Sequence, residues 1–356
     1  MKALTTLWIA VLSVLLHAQE GTALRQQVEE SDAVGRELSV PTIPALTFIS
    51  SDPSTVSRPS GVKKLAASLY NAIDEESRVK QGLAIEVKLS EYLPIAVSPE
   101  DYRRNFLKYV YYNTQASLGT VATAGDDVGT DLGWGLRMTL YDHSDPMANK
   151  AYLNEFEQVM LRCAAPAFPG DQQSAEEIAE CMSGADRPVK EDFARAFWNA
   201  GWLALAYAGG SRLSGSRLSG GTSIGHQVWL AGGVPLQHWG QLNYIARWAH
   251  QFNDRIAHYT QEAELGAKVL LGGSTFNVYG EFGYTPLINK DALRAVEMAE
   301  VDEVFKWTLG VEFRLTTGVW VVTGIGEQAS RIVGQAGPQV LSGLRFGIAD
   351  KAKLKR

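Results

Sequence analysis

A serine flanked by glycines is the first feature of the sequence that could carry chemistry. Residues 221–225, Gly-Thr-Ser-Ile-Gly, match the G-x-S-x-G nucleophile elbow of serine hydrolases. That motif acts on a sharp turn between a strand and a helix, because the turn exposes the serine hydroxyl. Here it leads from a glycine-rich loop into a predicted strand, so we predict that Ser223 is not a catalytic nucleophile.

A second motif, at residues 324–329, is similar to a dinucleotide-binding fingerprint and has glycines at positions 324 and 326. Such a fingerprint needs a parallel strand before the glycine-rich loop and a crossover helix after it. No crossover helix fits before Pro338. We therefore predict no nucleotide site and no cofactor.

The histidines do not have the spacing of a metal site. They are spread over different predicted strands and turns, without the i, i+4 helical spacing of a metalloprotease. We predict no metal site and no enzyme. A hydrolase in which Glu262 or Glu264 acts beside a histidine at a barrel rim is the weaker alternative. The four histidines considered are His226, His238, His250 and His258.

The two cysteines of the chain, Cys163 and Cys181, lie in the same polar insert between predicted strands. In an oxidising compartment, two such cysteines can close a local loop. The sequence predicts a disulfide between them, and two buried thiols are the alternative.

Apolar and polar residues alternate from about residue 82 onward, with the period of two that is typical of β-strands. In residues 305–315 every odd-numbered residue is apolar, and every even-numbered residue is polar or glycine. Glycine-containing turns at 272–274 and 316–318 indicate hairpins and therefore antiparallel neighbours. The eleven predicted strands are residues 83–89, 106–122, 131–140, 193–209, 222–234, 240–252, 260–272, 274–285, 305–315, 318–328 and 338–348.

The polar face of these strands carries charges of both signs, whereas large aromatic residues lie towards the strand ends of the apolar face, as in membrane barrels. We predict an all-β fold, a closed antiparallel transmembrane β-barrel whose polar face lines a lumen. A secreted β-sandwich, with its apolar faces packed together, is the alternative. The predicted lumen-lining residues are Glu86, Lys88, Arg137, Arg247, Glu262, Glu264, Lys268, Glu281, Lys306, Glu312 and Arg314.

Closure of the barrel asks for about 12 strands, because bacterial barrels usually have an even number. Residues 42–50, in which alternate positions are mostly apolar, are the best candidate for the extra strand. Twelve strands would place both chain ends and the insert 142–191 on the periplasmic side. If residues 42–74 form a plug in the lumen instead, the side of the insert is reversed.

The chain is predicted to have four parts. Residues 1–18 have one positive charge, an uncharged stretch too short to span a bilayer and then a small residue, which is typical of a cleaved signal peptide. Residues 19–80 form an extension with one amphipathic helix at 61–74. The barrel covers residues 81–350, with helices at 148–161 and 174–182 in its insert and a flexible Ser-Gly loop at 211–220. Residues 351–356 are a basic tail.

From Gly82 to the end, the strand pattern resembles porin-like outer-membrane proteins. Residues 52–59, together with the helix and Gly82-Leu83-Ala84, resemble an uncharacterised group of bacterial proteins that are predicted to be barrels. The resemblance implies insertion into the bacterial outer membrane by its assembly machinery, but no activity. The final strand departs from the pattern, because Phe346 is followed by the basic tail and not by the chain end.

Composition argues against a nucleic-acid partner, and the strand pattern favours a membrane role. A net charge of −6 offers no basic surface for nucleic acid. The charged inner face predicts a pore or channel for small polar solutes. The alternative is a non-conducting barrel that anchors or scaffolds a protein partner through the insert 142–191.

Overall fold

The chain folds around a single antiparallel β-sheet. In the computed structural model, eleven strands pair in chain order, each antiparallel to the next. The predicted mostly-β, antiparallel architecture is therefore confirmed. The structure describes residues 38–51, 56–59, 61–74, 78–93, 95–123, 129–164, 177, 180–181, 189, 192–193, 195–214, 221–253, 258–286, 303–316, 319–328 and 338–346.

Most strands are long, whereas the first has five residues. Most neighbouring strands pair along most of their length, with register shifts near residues 140, 211 and 320, whereas β7 pairs with β8 only over residues 265–272. The strands are β1 Ala84–Lys88, β2 Thr114–Ala122, β3 Gly129–Asp142, β4 Trp202–Ser214, β5 Thr222–Leu236, β6 Gly240–Asn253, β7 His258–Gly272, β8 Phe276–Pro286, β9 Glu303–Thr316, β10 Val319–Gln328 and β11 Pro338–Phe346.

Five α-helices whose bounds fall inside the described ranges lie outside the sheet, and scattered described residues between 177 and 196 are also helical. The predicted helices at 61–74 and 148–161 are present as α2 and α5, whereas most of the predicted helix at 174–182 lies outside the described residues. The helices are α1 Pro44–Phe48, α2 Val62–Asn71, α3 Pro99–Arg104, α4 Phe106–Tyr112 and α5 Lys150–Ala164.

The prediction of a strand at residues 42–50 is wrong, because this segment contains helix α1. Pro44 begins the helix, where its fixed φ suits the first turn and its missing N–H is not needed. Leu46 and Phe48 are buried, so tertiary packing rather than alternation decides the local structure.

Two predicted strands begin too early. Residues 106–112 form α4, because the Asn105 side chain caps the helix by accepting a hydrogen bond from the Lys108 N–H at 3.2 Å. The start of the strand predicted at 193–209 belongs instead to the insert, where the ring centroid of Phe193 lies 4.9 Å from that of Tyr152. β4 begins only at Trp202.

The same strand also extends beyond its predicted end. Residues 211–214, predicted as part of a flexible loop, belong to β4. Arg212 Nε lies 2.8 Å from Asp131 Oδ1 on the paired strand β3, and this ion pair helps to hold the segment in the sheet. Residues 215–220, the rest of that predicted loop, lie outside the described residues.

The apolar face of the sheet has exposed side chains and the polar face has buried ones, whereas a soluble protein usually shows the opposite. Leu265, Leu309 and Ile325, on the apolar face, are 54%, 56% and 53% exposed. Lys268 and Glu312, on the polar face, are 3% and 4% exposed. Large hydrophobic side chains are therefore exposed while Lys268 and Glu312 are covered, which is the reverse of the usual preference.

One edge of the sheet is covered by the chain itself. Ser57 forms a parallel bridge with Ile85: its N–H donates to the Ala84 carbonyl at 2.8 Å, and its carbonyl accepts from the Glu86 N–H at 3.0 Å. Within the described ranges, β11 is not paired with β1.

Several predictions fall outside the described residues. These include the signal peptide at 1–18, residues 19–37 of the extension and the basic tail at 351–356. No helix among the described residues is both long and apolar enough to cross a membrane.

Candidate functional site

The polar face of the sheet is the candidate site, because it brings the predicted lumen-lining residues together. Cross-strand pairs share a face, and the register aligns Glu86 with Ser117, Arg137 with Ala206 and so on across the sheet. All eleven predicted residues lie on this face: Glu86, Lys88, Arg137, Arg247, Glu262, Glu264, Lys268, Glu281, Lys306, Glu312 and Arg314.

The part of this face formed by β6–β9, here called the ionic half, is built from buried charges. Lys268 Nζ lies 3.4 Å from Glu312 Oε2, and the amide of Asn277 lies 3.5 Å from Glu312 Oε1. Lys268 Nζ also lies 4.3 Å from the ring centroid of Tyr279, in a cation–π contact. These residues form one connected polar network.

Glycines make room for this network. A Cβ atom at Gly310 would lie 2.8 Å from Tyr279 Cζ, and one at Gly324 would lie 2.9 Å from the Tyr279 hydroxyl. Tyr279 therefore packs against Gly310 of β9 and Gly324 of β10, and only 1% of its surface is exposed. Larger residues at either glycine would push the ring away from Lys268.

A second charged cluster lies on β6 and β7. Arg247 Nε lies 3.0 Å from Glu264 Oε2, and its Nη2 donates to Glu262 Oε2 at 3.2 Å. One guanidinium thus binds two carboxylates. The charged residues of both clusters occupy alternate positions along their strands, as the sequence predicts.

The part of the same face formed by β2–β5, here called the strap half, has many small residues, and its charged side chains include Asp131, Arg137 and Arg212. Residues 38–51, here called the strap, cover it. Val40, Leu46, Phe48 and Ile49 of the strap are buried in one apolar cluster with small residues and a tryptophan of the sheet. The sheet residues of that cluster are Ala84, Ala204, Ala206, Ala208, Trp229 and Ala231.

The strap approaches the sheet so closely that side chains would not fit beneath it. A Cβ at Gly133 would lie 2.5 Å from the Ala45 carbonyl oxygen, and one at Gly210 would lie 2.6 Å from Phe48 Cε1. The Ala45 N–H donates to Ser117 Oγ at 3.2 Å. Glycine at the sheet positions is therefore required by close backbone approach.

The strap also reaches the ionic half. A Cβ at Gly266, on β7, would lie 3.2 Å from Leu38 Cδ2, while Leu46 and Ile49 lie against Gly119 on β2. Fourteen residues therefore cross the polar face from β7 to β2. Side chains and strap together cover much of the face.

Side chains of β1 and of its connection to β2 form a polar rim. Glu86 forms an ion pair with Arg58 Nε, and Lys88 Nζ lies 3.9 Å from the Tyr112 ring centroid. The Tyr102 hydroxyl donates to Asp145, and burial together with this carboxylate raises the pKa of Tyr102 above its usual range. Tyr102 therefore stays neutral and joins this rim to the start of the insert.

The catalytic motifs considered from the sequence do not assemble. Ser223 lies inside β5, paired with Ser211, and its carbonyl accepts from the Tyr259 hydroxyl at 2.6 Å. It is not at a strand-to-helix turn. His226 and His250 lie side by side on the apolar face with ring centroids 5.5 Å apart. His238 lies in the β5–β6 turn and His258 begins β7.

Metal ligands are not clustered in the described ranges, where no group of three or more His, Cys, Asp or Glu side chains could hold an ion. Cys163 and Cys181 are joined in a disulfide with an S–S distance of 2.08 Å. Cys163 also packs with Tyr152, Val159 and Val189 in a small core that belongs to the insert.

The strap half is the part of the site that sequence reasoning missed. Its signal was present in β4, where Ala204, Ala206, Ala208 and Gly210 occupy alternate positions. A run of small residues on one strand face indicates that another chain segment lies close to it. The pattern of residues 42–50 favours a strand, with a plug formed by residues 42–74 as the alternative, and the structure places helix α1 of this segment against the polar face.

Comparisons with known proteins add no relationship to this geometry. No family model matches the sequence, and a search of the curated proteins finds no match.

Proposed function

We propose that the chain is a closed β-barrel of an outer membrane and acts as a gated conduit for small polar solutes. The observation that carries this proposal is the reversed burial of the two sheet faces. A bilayer around the apolar face would remove its exposed leucines and phenylalanines from water. The polar face would then enclose the strap and the ion pairs.

Closure of the sheet is part of this proposal. An odd number of antiparallel strands brings the first and last strands into the same direction, so β1 and β11 would meet in parallel. Ser57 already forms a parallel bridge at the β1 edge. We infer that residues 56–59 take the twelfth position at this seam, in place of the strand expected at 42–50. Closure would leave fewer unpaired backbone groups in hydrocarbon.

The ionic half supports a polar path. Arg247, Lys268 and the carboxylates around them provide charges of both signs along β6–β9. The strap fills the other half with apolar side chains, so passage of a solute would require displacement of the strap or rearrangement of the ion pairs. The conformation described here is therefore the closed one.

Membrane embedding predicts a specific response at Leu309. This side chain is 56% exposed, so Leu309→Arg in a water-soluble protein would change the unfolding free energy by less than about 0.5 kcal/mol. In the middle of a bilayer, the same change should cost about 2–4 kcal/mol. Denaturant unfolding in phospholipid vesicles would measure this, with Leu309→Met as the control. A stable, lipid-independent Arg variant would contradict embedding.

Conductance in planar bilayers tests the conduit. The wild type should open rarely, and a variant with Leu46→Ser and Phe48→Ser should open more often, because both changes weaken the packing of the strap. Met160→Ser with Leu161→Ser, at exposed positions on α5, is the control and should behave as the wild type. If the strap variant folds and remains silent, the conduit is wrong.

A non-conducting scaffold is the second candidate, and two observations favour it. Lys268 and Glu312 are nearly inaccessible to water, as expected of a filled interior. Met160 and Leu161 are exposed on the disulfide-bonded insert and offer an apolar contact to a partner. Silent bilayers together with loss of a partner on changing these two residues would support the scaffold.

A further inference from the structure

Helix α2 presents an apolar stripe that is exposed among the residues that the structure describes. Val62 and Leu69 are 65% and 39% exposed, and Ala66 between them is also exposed. Ile73, which follows the helix, is 40% exposed. The spacing of 62, 66 and 69 places these three residues on one side of the helix, and Ile73 lies just beyond its C-terminal end, in a bridge with Val79.

A different side of α2 packs on the protein. Leu65 and Ser68 are half-buried and Ala72 is buried. The Ser68 hydroxyl oxygen lies 3.5 Å from that of Ser57, and the Lys80 N–H donates to the Ala72 carbonyl at 2.8 Å. The exposed stripe is therefore not the side by which the helix is attached.

The attachment places α2 next to the β1 edge of the sheet. Ser57 lies on that edge, and the Pro59 carbonyl accepts from Tyr92, just beyond the end of β1. After the helix, the Lys80 carbonyl accepts from Thr120 Oγ1 at 2.7 Å, near the start of β1. The helix therefore runs back along β1 in the opposite direction.

β1 is too short to complete an apolar belt at this edge. Its five residues extend about 17 Å, whereas a strand that spans a bilayer needs about 9–11 residues. The ten residues of α2 add about 15 Å of helix beside it. The stripe thus lies where the apolar surface of the sheet would otherwise be interrupted.

We propose that the α2 stripe, formed by Val62, Ala66, Leu69 and Ile73, contacts lipid acyl chains and continues the apolar face past the β1 edge. This inference rests on the membrane location proposed above. Lys63 is exposed next to the stripe in the first turn of the helix. Its charge complements anionic headgroups at the same end, because basic side chains flanking an apolar helix face are attracted to such lipids.

Site-directed fluorescence tests this surface in the full-length protein. Single cysteines replace Val62 and Leu69 on the stripe, the exposed Asn71 on the opposite side of the helix and Leu309 on the sheet. The two native cysteines are paired and do not react. Each variant carries a small polarity-sensitive fluorophore and is inserted into phosphatidylcholine–phosphatidylglycerol vesicles with brominated acyl chains. Positions 62, 69 and 309 should lose most of their fluorescence, whereas position 71 should keep it.

The marker at 309 separates the two ideas. Quenching at 309 without quenching at 62 and 69 would overturn the lipid contact of α2 and leave the membrane location intact. If 309 is also unquenched, the membrane location itself fails. If positions 62 and 69 are shielded from both brominated lipid and aqueous iodide, protein covers the stripe and the inference is wrong. Crosslinking between copies would then show whether the covering protein is a second copy of the chain.

Discussion

The two halves of the polar face bury their side chains by different means. In the strap half, Leu46 and Phe48 fill the space above glycines and alanines, and each buried side chain contributes about 1.5–3 kcal/mol. In the ionic half, Lys268 and Glu312 are buried together, and their attraction largely offsets the cost of removing them from water. One continuous sheet face thus supports an apolar and a polar interior.

This difference indicates which half of the polar face can change its conformation more easily. An apolar contact loses stability gradually as surface is exposed, and the strap is connected to the sheet by few backbone hydrogen bonds such as that from Ala45 to Ser117. A buried ion pair loses stability abruptly when one partner is removed, because the other charge stays in a poorly solvated place. In the conduit proposed above, movement would therefore belong to the strap and selectivity to the ion pairs.

The largest effect should come from breaking the ionic half. Lys268→Met removes the cation and leaves Glu312 buried without it, which should lower the unfolding free energy by about 3–5 kcal/mol. Denaturant titration in phospholipid vesicles measures the loss.

The double variant is the matched control for this change. Lys268→Met with Glu312→Leu removes both charges and should recover most of the lost stability, because an apolar pair of similar volume replaces the ion pair. A single variant as stable as the wild type would mean that water reaches Glu312, and the distinction between the two halves would then disappear.

Alternation predicts the sheet and its two faces but not what covers them. The eleven strands, and the common face of residues as distant as Glu86 and Arg314, follow from a period of two. Sequence reasoning fails at residues 42–50, where alternate positions are also mostly apolar. There the chain forms α1, because Leu46 and Phe48 pack on distant glycines that a local pattern does not include.

The other errors have a similar physical origin. Residues 106–112 are rich in aromatic side chains that favour strands, yet the Asn105 cap starts a helix. The charged residues of the ionic half were predicted by face, whereas their pairing was not, because the register between β7, β8 and β9 decides which charges meet. The ion pair between Lys268 and Glu312 therefore follows from the register of the three strands and not from the sequence pattern.

Replacing a glycine by alanine should have a smaller effect on the unfolding free energy, and this effect should differ between the strap half and the ionic half. Gly133→Ala places a methyl group 2.5 Å from the Ala45 carbonyl oxygen, so the strap must shift, and overpacking of this kind costs about 1–3 kcal/mol. Gly283→Ala, on the same face in the ionic half, meets only Lys306 Cβ at 3.7 Å and should cost much less. Unfolding free energy and protease cleavage within residues 38–51 measure both variants. Faster cleavage in Gly133→Ala alone would show that close packing on the sheet glycines holds the strap. Equal cleavage of the two variants would mean that the strap does not lie against Gly133.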